Sequence, residues 1–288
     1  MKTGAATLRQ LLKLDAPPVV PLVLDPISAK LAEASGFRAL YLGGGALGYL
    51  KTVTEANLTV TEMAQAALDI RAASSLPLIL DGACGWGEPM HMHRTVAMAE
   101  AAGFAAIEIE DQIFPKRVHH HIGIEHVVPF ELAVQKIEQA VAARRDPDFM
   151  IIARTNACIT DDLDEALRRA EAYRRAGADL LIVIPTNPEQ YRTIGERIEG
   201  PLVYMTLEGL GSIGMSLQDV AGLGYKLVID ATTPFFARQK ALRLCYEAMA
   251  QGLVDPTLGR AYKEELSQVF AAIDIQKLLD VEKNTVEK

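Results

Sequence analysis

Apolar runs recur along this chain at the spacing of one strand and one helix, and their starts alternate between two kinds. Four runs follow a helical stretch closed by a residue pair ending in glycine. These are Ser35-Gly36-Phe37 before Ala39-Leu40-Tyr41-Leu42, and Ala102-Gly103-Phe104 before Ala106-Ile107. The same punctuation returns as Ala176-Gly177-Ala178 before Leu180-Leu181-Ile182-Val183, and as Leu223-Gly224-Tyr225 before Leu227-Val228-Ile229. Glycine just past a helix end supplies the left-handed cap, and the strand begins at once. The other four runs enter through proline: Pro18-Val19-Val20, Pro77-Leu78-Ile79, Met150-Ile151-Ile152 after Pro147, and Pro201-Leu202-Val203-Tyr204. Apolar residues stand at consecutive positions in these runs rather than alternating. That is the pattern of strands buried on both faces.

Eight strands with helical patterns between them predict an α/β fold, a (β/α)8 barrel. An open doubly wound sheet is the weaker fit, because no glycine-rich dinucleotide fingerprint follows the first strand. Residues 1–251 are expected to form the catalytic barrel. Residues 252–288 carry Tyr262, Leu266, Phe270, Ile273, Ile275, Leu278 and Leu279 at helical spacing. They read as a helical extension that packs on a neighbouring subunit or on the barrel exterior. Residues 112–129 have little apolar periodicity and read as a long mobile loop above the strand ends.

Composition narrows the function more than the fold. With 288 residues, half of them hydrophobic, the chain can bury a large core. A net charge of −8 argues against a nucleic-acid partner and makes any anion site a local feature. Cys84, Cys158 and Cys245 lack zinc spacing and fit a reducing compartment. No apolar run reaches the ~18 residues of a membrane span, and no leader pattern opens the chain. A soluble, cytoplasmic protein is expected.

Two strands end in acid and run into loops. Leu78-Ile79-Leu80-Asp81 leads to Gly82-Ala83-Cys84-Gly85-Trp86-Gly87-Glu88, and Ile107-Glu108-Ile109-Glu110-Asp111 leads to a loop with Lys116, Arg117 and His119 to His121. A charge at the end of a buried strand costs several kcal/mol unless it is paired or bound to a metal. Asp81 and Glu110 therefore either hold a hard cation such as Mg2+, or cap loops and pair with Arg154. Arg154 ends the fifth strand and offers a planar fork to a carboxylate or phosphonate, or a salt bridge to Glu110. Gly43, Gly44 and Gly45 after the second strand let backbone amides approach an anion. The histidines of the 112–129 loop bring groups that exchange protons near neutral pH. Adjacent in an extended loop, they cannot all face one ion. His91 and His93 read as surface residues, and Cys84 and Cys158 as buried thiols.

In the order of these motifs the chain resembles the isocitrate lyase and phosphoenolpyruvate mutase superfamily, especially its 2-methylisocitrate lyase branch. The likeness runs from Asp25-Pro26-Ile27-Ser28-Ala29 through the glycine run and Gly85-Trp86-Gly87-Glu88. It continues to Ile109-Glu110-Asp111-Gln112, Phe114-Pro115-Lys116-Arg117 and Ala153-Arg154-Thr155-Asn156. It implies a barrel whose eighth helix is exchanged between subunits, as a dimer of helix-swapped dimers. It also implies Mg2+ (or Mn2+) and C–C or C–P chemistry on a small 2-oxo or 2-hydroxy acid through an enolate-like species. Carried over by position, Asp81 touches the metal, Glu110 and Glu55 reach it through water, and Gly44, Gly45 and Arg154 bind the substrate.

The chain departs from this pattern at four places. The expected Asp-Ala-Asp reads Asp81-Gly82-Ala83, and Val118 replaces a loop cysteine that serves as acid. Ile182-Val183-Ile184 stands where lyases keep a glutamate, and Met205 where an asparagine is expected. The expected function is Mg2+-dependent C–C cleavage of a small 2-hydroxy or 2-oxo dicarboxylate, of the 2-methylisocitrate lyase or oxaloacetate decarboxylase kind. In this reading His120 or a water protonates carbon and Lys116 balances substrate charge under the closing loop. The alternatives are a phosphonopyruvate-type C–P enzyme and a binding protein with a degenerate site.

Overall fold

The computed structural model describes residues 3–287. The eight expected strands form: β1 (Val19–Pro21), β2 (Leu40–Leu42), β3 (Leu78–Asp81), β4 (Ala106–Glu110), β5 (Met150–Thr155), β6 (Leu180–Val183), β7 (Leu202–Thr206) and β8 (Tyr225–Asp230). All named pairings are parallel, in the order β1-β8-β7-β6-β5-β4-β3-β2. A further parallel bridge from Leu22 to Tyr41 brings the ends of the sheet together, so the sheet closes into the (β/α)8 barrel. Nearly every strand residue is buried, because the barrel interior covers one face and the helices cover the other.

Side-chain direction alternates along each strand, and this decides which acids meet in the barrel. In β4, Glu108 and Glu110 turn inward. Asp111 just beyond turns outward, where it accepts from Thr155, Tyr173 and Arg169. Each strand delivers its last residues to the carboxyl-terminal mouth, where barrel enzymes assemble their sites.

The chain divides into two compact units, residues 1–233 and 234–288. The helix Thr233–Ala250 was expected to complete the barrel, with a boundary at 251. It groups instead with the helices Tyr262–Ala272 and Ile275–Thr285, and none of the three has a buried residue. The unit exposes large apolar side chains, among them Phe236, Tyr246, Met249, Tyr262 and Leu278. The segment 112–129 is more ordered than its sequence pattern suggests. It leaves and returns through an antiparallel bridge between Gln112 and Val127, and contains a 3-10 turn at Val118–Ile122. Among the described residues, no helix is long and apolar enough to cross a membrane.

Candidate active site

Asp81, at the end of β3, is buried and held by two backbone amides. Its Oδ2 accepts from Gly44 N–H at 2.8 Å and its Oδ1 from Ala83 N–H at 2.9 Å. Burial pushes its pKa up and the charge of Glu55 adds to the rise, against the pull of Lys116. A Cβ on Gly44 would stand 3.3 Å from both Asp81 Oδ2 and Glu55 Oε2, so the close approach calls for glycine. Gly82 is constrained harder: a Cβ there would lie 2.3 Å from the Glu108 carbonyl oxygen. The glycine run thus serves the site differently from the expectation of free anion-binding amides. Gly43 caps the short helix Gly44–Leu50, Gly44 donates to Asp81, and Gly45 packs toward Glu55.

β4 and β5 supply a second layer of charge. Glu110 accepts from Lys116 Nζ at 2.6 Å and Asn156 Nδ2 at 3.0 Å, and lies 3.5 Å from Arg154 Nε. Burial opposes its ionisation, but Lys116 and Arg154 outweigh burial and hold its pKa below the ordinary value. Arg154 does pair with Glu110, yet its nearer partner is Glu108, with Nη1 to Oε1 at 2.9 Å. Asn156 Oδ1 accepts from the Nε and Nη2 of the same guanidinium.

Glu108 was not singled out from sequence. It accepts from the Tyr41 hydroxyl at 2.9 Å, and burial, reinforced by Asp81, pushes its pKa up to about 7 despite Arg154. The signal was present in the two-residue period Glu108-Ile109-Glu110, which sets both acids on one face. Asn156 carries no comparable signal, since it lies past the strand end and acts by orienting Arg154. Lys136, also missed, is buried on the helix Phe130–Ala143 and donates to the Cys84 carbonyl at 2.5 Å. Its approach braces the loop that follows Asp81. The thiols of Cys84 and Cys158 are pushed up by burial, Cys158 to about 11, which leaves neither a nucleophile. His91 and His93 are exposed.

The 112–129 loop lies down on this cluster. Lys116 Nζ sits between Glu55 Oε1 at 2.5 Å and Glu110 Oε1 at 2.6 Å. His120 Nε2 is 2.8 Å from Glu55 Oε1, and its Nδ1 contacts the Arg117 carbonyl. His121 contacts the Tyr49 hydroxyl at 2.9 Å and Thr54 Oγ1 at 2.7 Å. Burial pushes Glu55 up, but His120 and Lys116 together drive it far below the usual carboxylate range. Burial pulls His120 down, but Glu55 and the Arg117 carbonyl outweigh that and favour its protonated form. The structure thus brings Glu55, Asp81, Glu110, Lys116, His120 and Arg154 to one mouth. Val118 is exposed and takes no part.

Asp81, Glu55 and Glu110 offer carboxylate oxygens alone, the donor chemistry of a hard divalent cation. The ammonium between Glu55 and Glu110 shows that positive charge is accommodated there. In this arrangement no group of three acidic, histidine or cysteine side chains among the described residues is poised as a metal cage, as two of these acids turn onto Lys116. The donor set fits the cation in kind, and room for it depends on where Lys116 lies.

A closed parallel barrel with buried carboxylates, an arginine and a lysine at its carboxyl-terminal mouth is the framework of a barrel enzyme acting on an anion. The phosphoenolpyruvate phosphomutase family model matches residues 8–250, and the chain belongs to this family. It is 34% identical to 2,3-dimethylmalate lyase of Eubacterium barkeri over 284 residues, 97% of each chain. It is 36% identical to 2-methylisocitrate lyase of Aeropyrum pernix, covering 94% of this chain and 88% of that one. Phosphonopyruvate hydrolase in complex with oxalate and Mg2+ superposes with a TM-score of 0.86 at 27% identity, over 99% of this chain and 100% of that one. By this kinship the chain is an enzyme, a carbon–carbon lyase.

Proposed function

We propose that the enzyme cleaves the C2–C3 bond of a small 2-hydroxy dicarboxylate with the help of Mg2+ or Mn2+. One observation carries the reading: Glu55, Asp81 and Glu110 gather with Arg154 and Lys116 at the carboxyl ends of adjacent strands. Asp81, Glu55 and Glu110 would hold the cation, which supplies Lewis-acid stabilisation of the oxygens of the 2-hydroxy acid. The cleavage passes the 2-hydroxyl proton to a carboxylate of the mouth, breaks the C2–C3 bond to leave a 2-oxo acid, and places the bonding electron pair on C3 as an enolate that must then be protonated. Arg154, held in place by Glu108 and Asn156, is the group that would pair with a substrate carboxylate. The 112–129 loop excludes water, and Lys116 offsets the charge of the dianion when it moves from Glu55 and Glu110. His120, whose protonated form Glu55 favours, is the candidate proton donor in place of the missing cysteine.

The test is direct: a panel of 2-hydroxy dicarboxylates is incubated with the enzyme, with and without a chelator, and the 2-oxo acid product is measured. We expect release that stops with chelation and returns with Mg2+. Release from phosphonopyruvate alone would move the enzyme to C–P chemistry, and no product from any acid would leave a binding protein. The exposed apolar side chains of residues 234–288 support a homo-oligomer, expected as a dimer of helix-swapped dimers. A monomer by light scattering at micromolar concentration would refute this.

A further inference from the structure

Beside Arg154 the barrel mouth changes character. A cavity of about 200 Å3 opens at the carboxyl ends of β6 and β7, walled by Ile184, Pro185, Tyr204, Met205 and Leu207. Met205 separates it from the anion site, its Sδ lying 3.8 Å from Arg154 Nη1. At ~30 Å3 for each water, its volume is that of roughly six waters, enough for a short branched substituent.

No lysine, arginine or histidine lines this cavity, and the single charged group in its wall is Glu208. Four of its five hydroxyl protons are already committed. Thr206 and Ser212 both donate to the Gly209 carbonyl, at 2.9 and 2.8 Å, and Tyr191 donates to the Met205 carbonyl. Thr186 donates to Gln190 Oε1 at 3.1 Å. A carboxylate placed here would lose its water and gain no cation, next to an acid of its own sign. An alkyl group would gain apolar contact at no such cost.

We propose that this cavity is the specificity pocket for the variable end of the substrate, and that it accepts alkyl substituents and rejects a third carboxylate. Resting on the lyase reading, this narrows the substrate class to alkyl-substituted 2-hydroxy dicarboxylates. Ile184 and Met205 are the selecting residues, Met205 because it stands between the pocket and the anion site.

Binding and cleavage test the two readings separately. Calorimetry on the full chain with Mg2+ compares three unreactive acids: succinate, 2,3-dimethylsuccinate and tricarballylate. Expected is 2,3-dimethylsuccinate tighter than succinate by about tenfold, and tricarballylate weaker than succinate by a similar factor. Ile184→Lys should reverse the order. Should that buried substitution fail to fold, Glu208→Gln at the rim should strengthen tricarballylate by roughly two- to fivefold. Tricarballylate binding as well as 2,3-dimethylsuccinate, an order unchanged in a folded Ile184→Lys, or no binding of any of the three overturns the pocket. Turnover of 2,3-dimethylmalate is followed in parallel. The expected binding order without cleavage breaks the lyase reading and leaves the pocket standing, whereas cleavage that favours a tricarboxylate does the reverse.

Discussion

The two halves of the barrel mouth hold themselves together by different physics. From β2 to β5 the interior is a lattice of opposite charges: Asp81 on backbone amides, Glu108 and Glu110 on Arg154, Glu55 and Glu110 on Lys116. From β6 to β8 the strands are backed by aromatic and aliphatic side chains, with Tyr191 of the helix Gln190–Arg197 stacked on Tyr204 at 3.8 Å and Tyr225 edge-on to Tyr204 at 5.5 Å. In the charged half every group depends on a partner, so a single removal leaves a buried charge unbalanced. In the apolar half most side chains carry no charge, and the removal of one of these chiefly changes shape. A reaction centre that must stay fixed and a substituent pocket that can vary between enzymes are thereby kept on opposite sides of one arginine.

The largest expected effect tests that dependence. Arg154→Met should destabilise the fold by about 3–5 kcal/mol, because it strands Glu108 without its cation and leaves Glu110 with Lys116 alone. Met205→Leu, on the other side of the same guanidinium, should cost under about 1.5 kcal/mol. Urea denaturation of both variants decides the matter, and equal losses would dissolve the distinction between the halves. Next in size is Asp81→Asn. It keeps the shape and surrenders charge, and kcat should fall on the order of 10²- to 10³-fold with the circular dichroism unchanged. A fall confined to KM would make Asp81 a binding group only.

The smaller effect of Lys116→Ala sharpens the picture inside the charged half. Freed of the ammonium, Glu55 and Glu110 should bind Mn2+ about tenfold more tightly, read by the loss of the free-ion paramagnetic resonance signal. Unchanged or weaker binding would mean that the lysine and the metal do not share these acids.

The barrel was legible because its signals are local and repeated: a glycine cap or a proline before each strand, and apolar runs of strand length. The site was legible in part. Asp81, Glu110 and Arg154 stand at strand ends, where burial makes a charge conspicuous, and they do converge. Glu108 lies one pleat deeper and was hidden within an apolar strand, although its two-residue spacing from Glu110 gave its face away. The partners of Glu55 could not be read at all, because they depend on how residues 112–129 fold back, and no periodicity encodes that. The same holds for the amide of Gly44, whose partner is set by the packing of two strands. The grouping of the helix Thr233–Ala250 with the tail was hidden for a related reason. The grouping is set by tertiary contacts, which its own sequence does not encode.

The last effect concerns Glu108 and carries a definite sign. Its pKa in the folded protein is raised from 4.5 to about 7, chiefly by burial, so between those values the folded state binds a proton that the unfolded state has released. Stability from this group is complete below pH ~4.5 and is lost as the pH rises through about 7. Glu108→Gln replaces the protonated carboxyl by a neutral group of the same shape and removes that dependence. The unfolding free energy of the parent, from urea titrations, should therefore decline across the window by about 3 kcal/mol more than that of the variant. Arg154 can still donate to the amide oxygen and the amide N–H can donate to the Tyr41 hydroxyl, so the variant should fold normally at low pH. If parent and variant decline in parallel, the carboxyl is ionised throughout and Arg154 governs it completely. Glu108 would then belong with Glu110 as a fixed charge rather than as the neutral edge of the charged half.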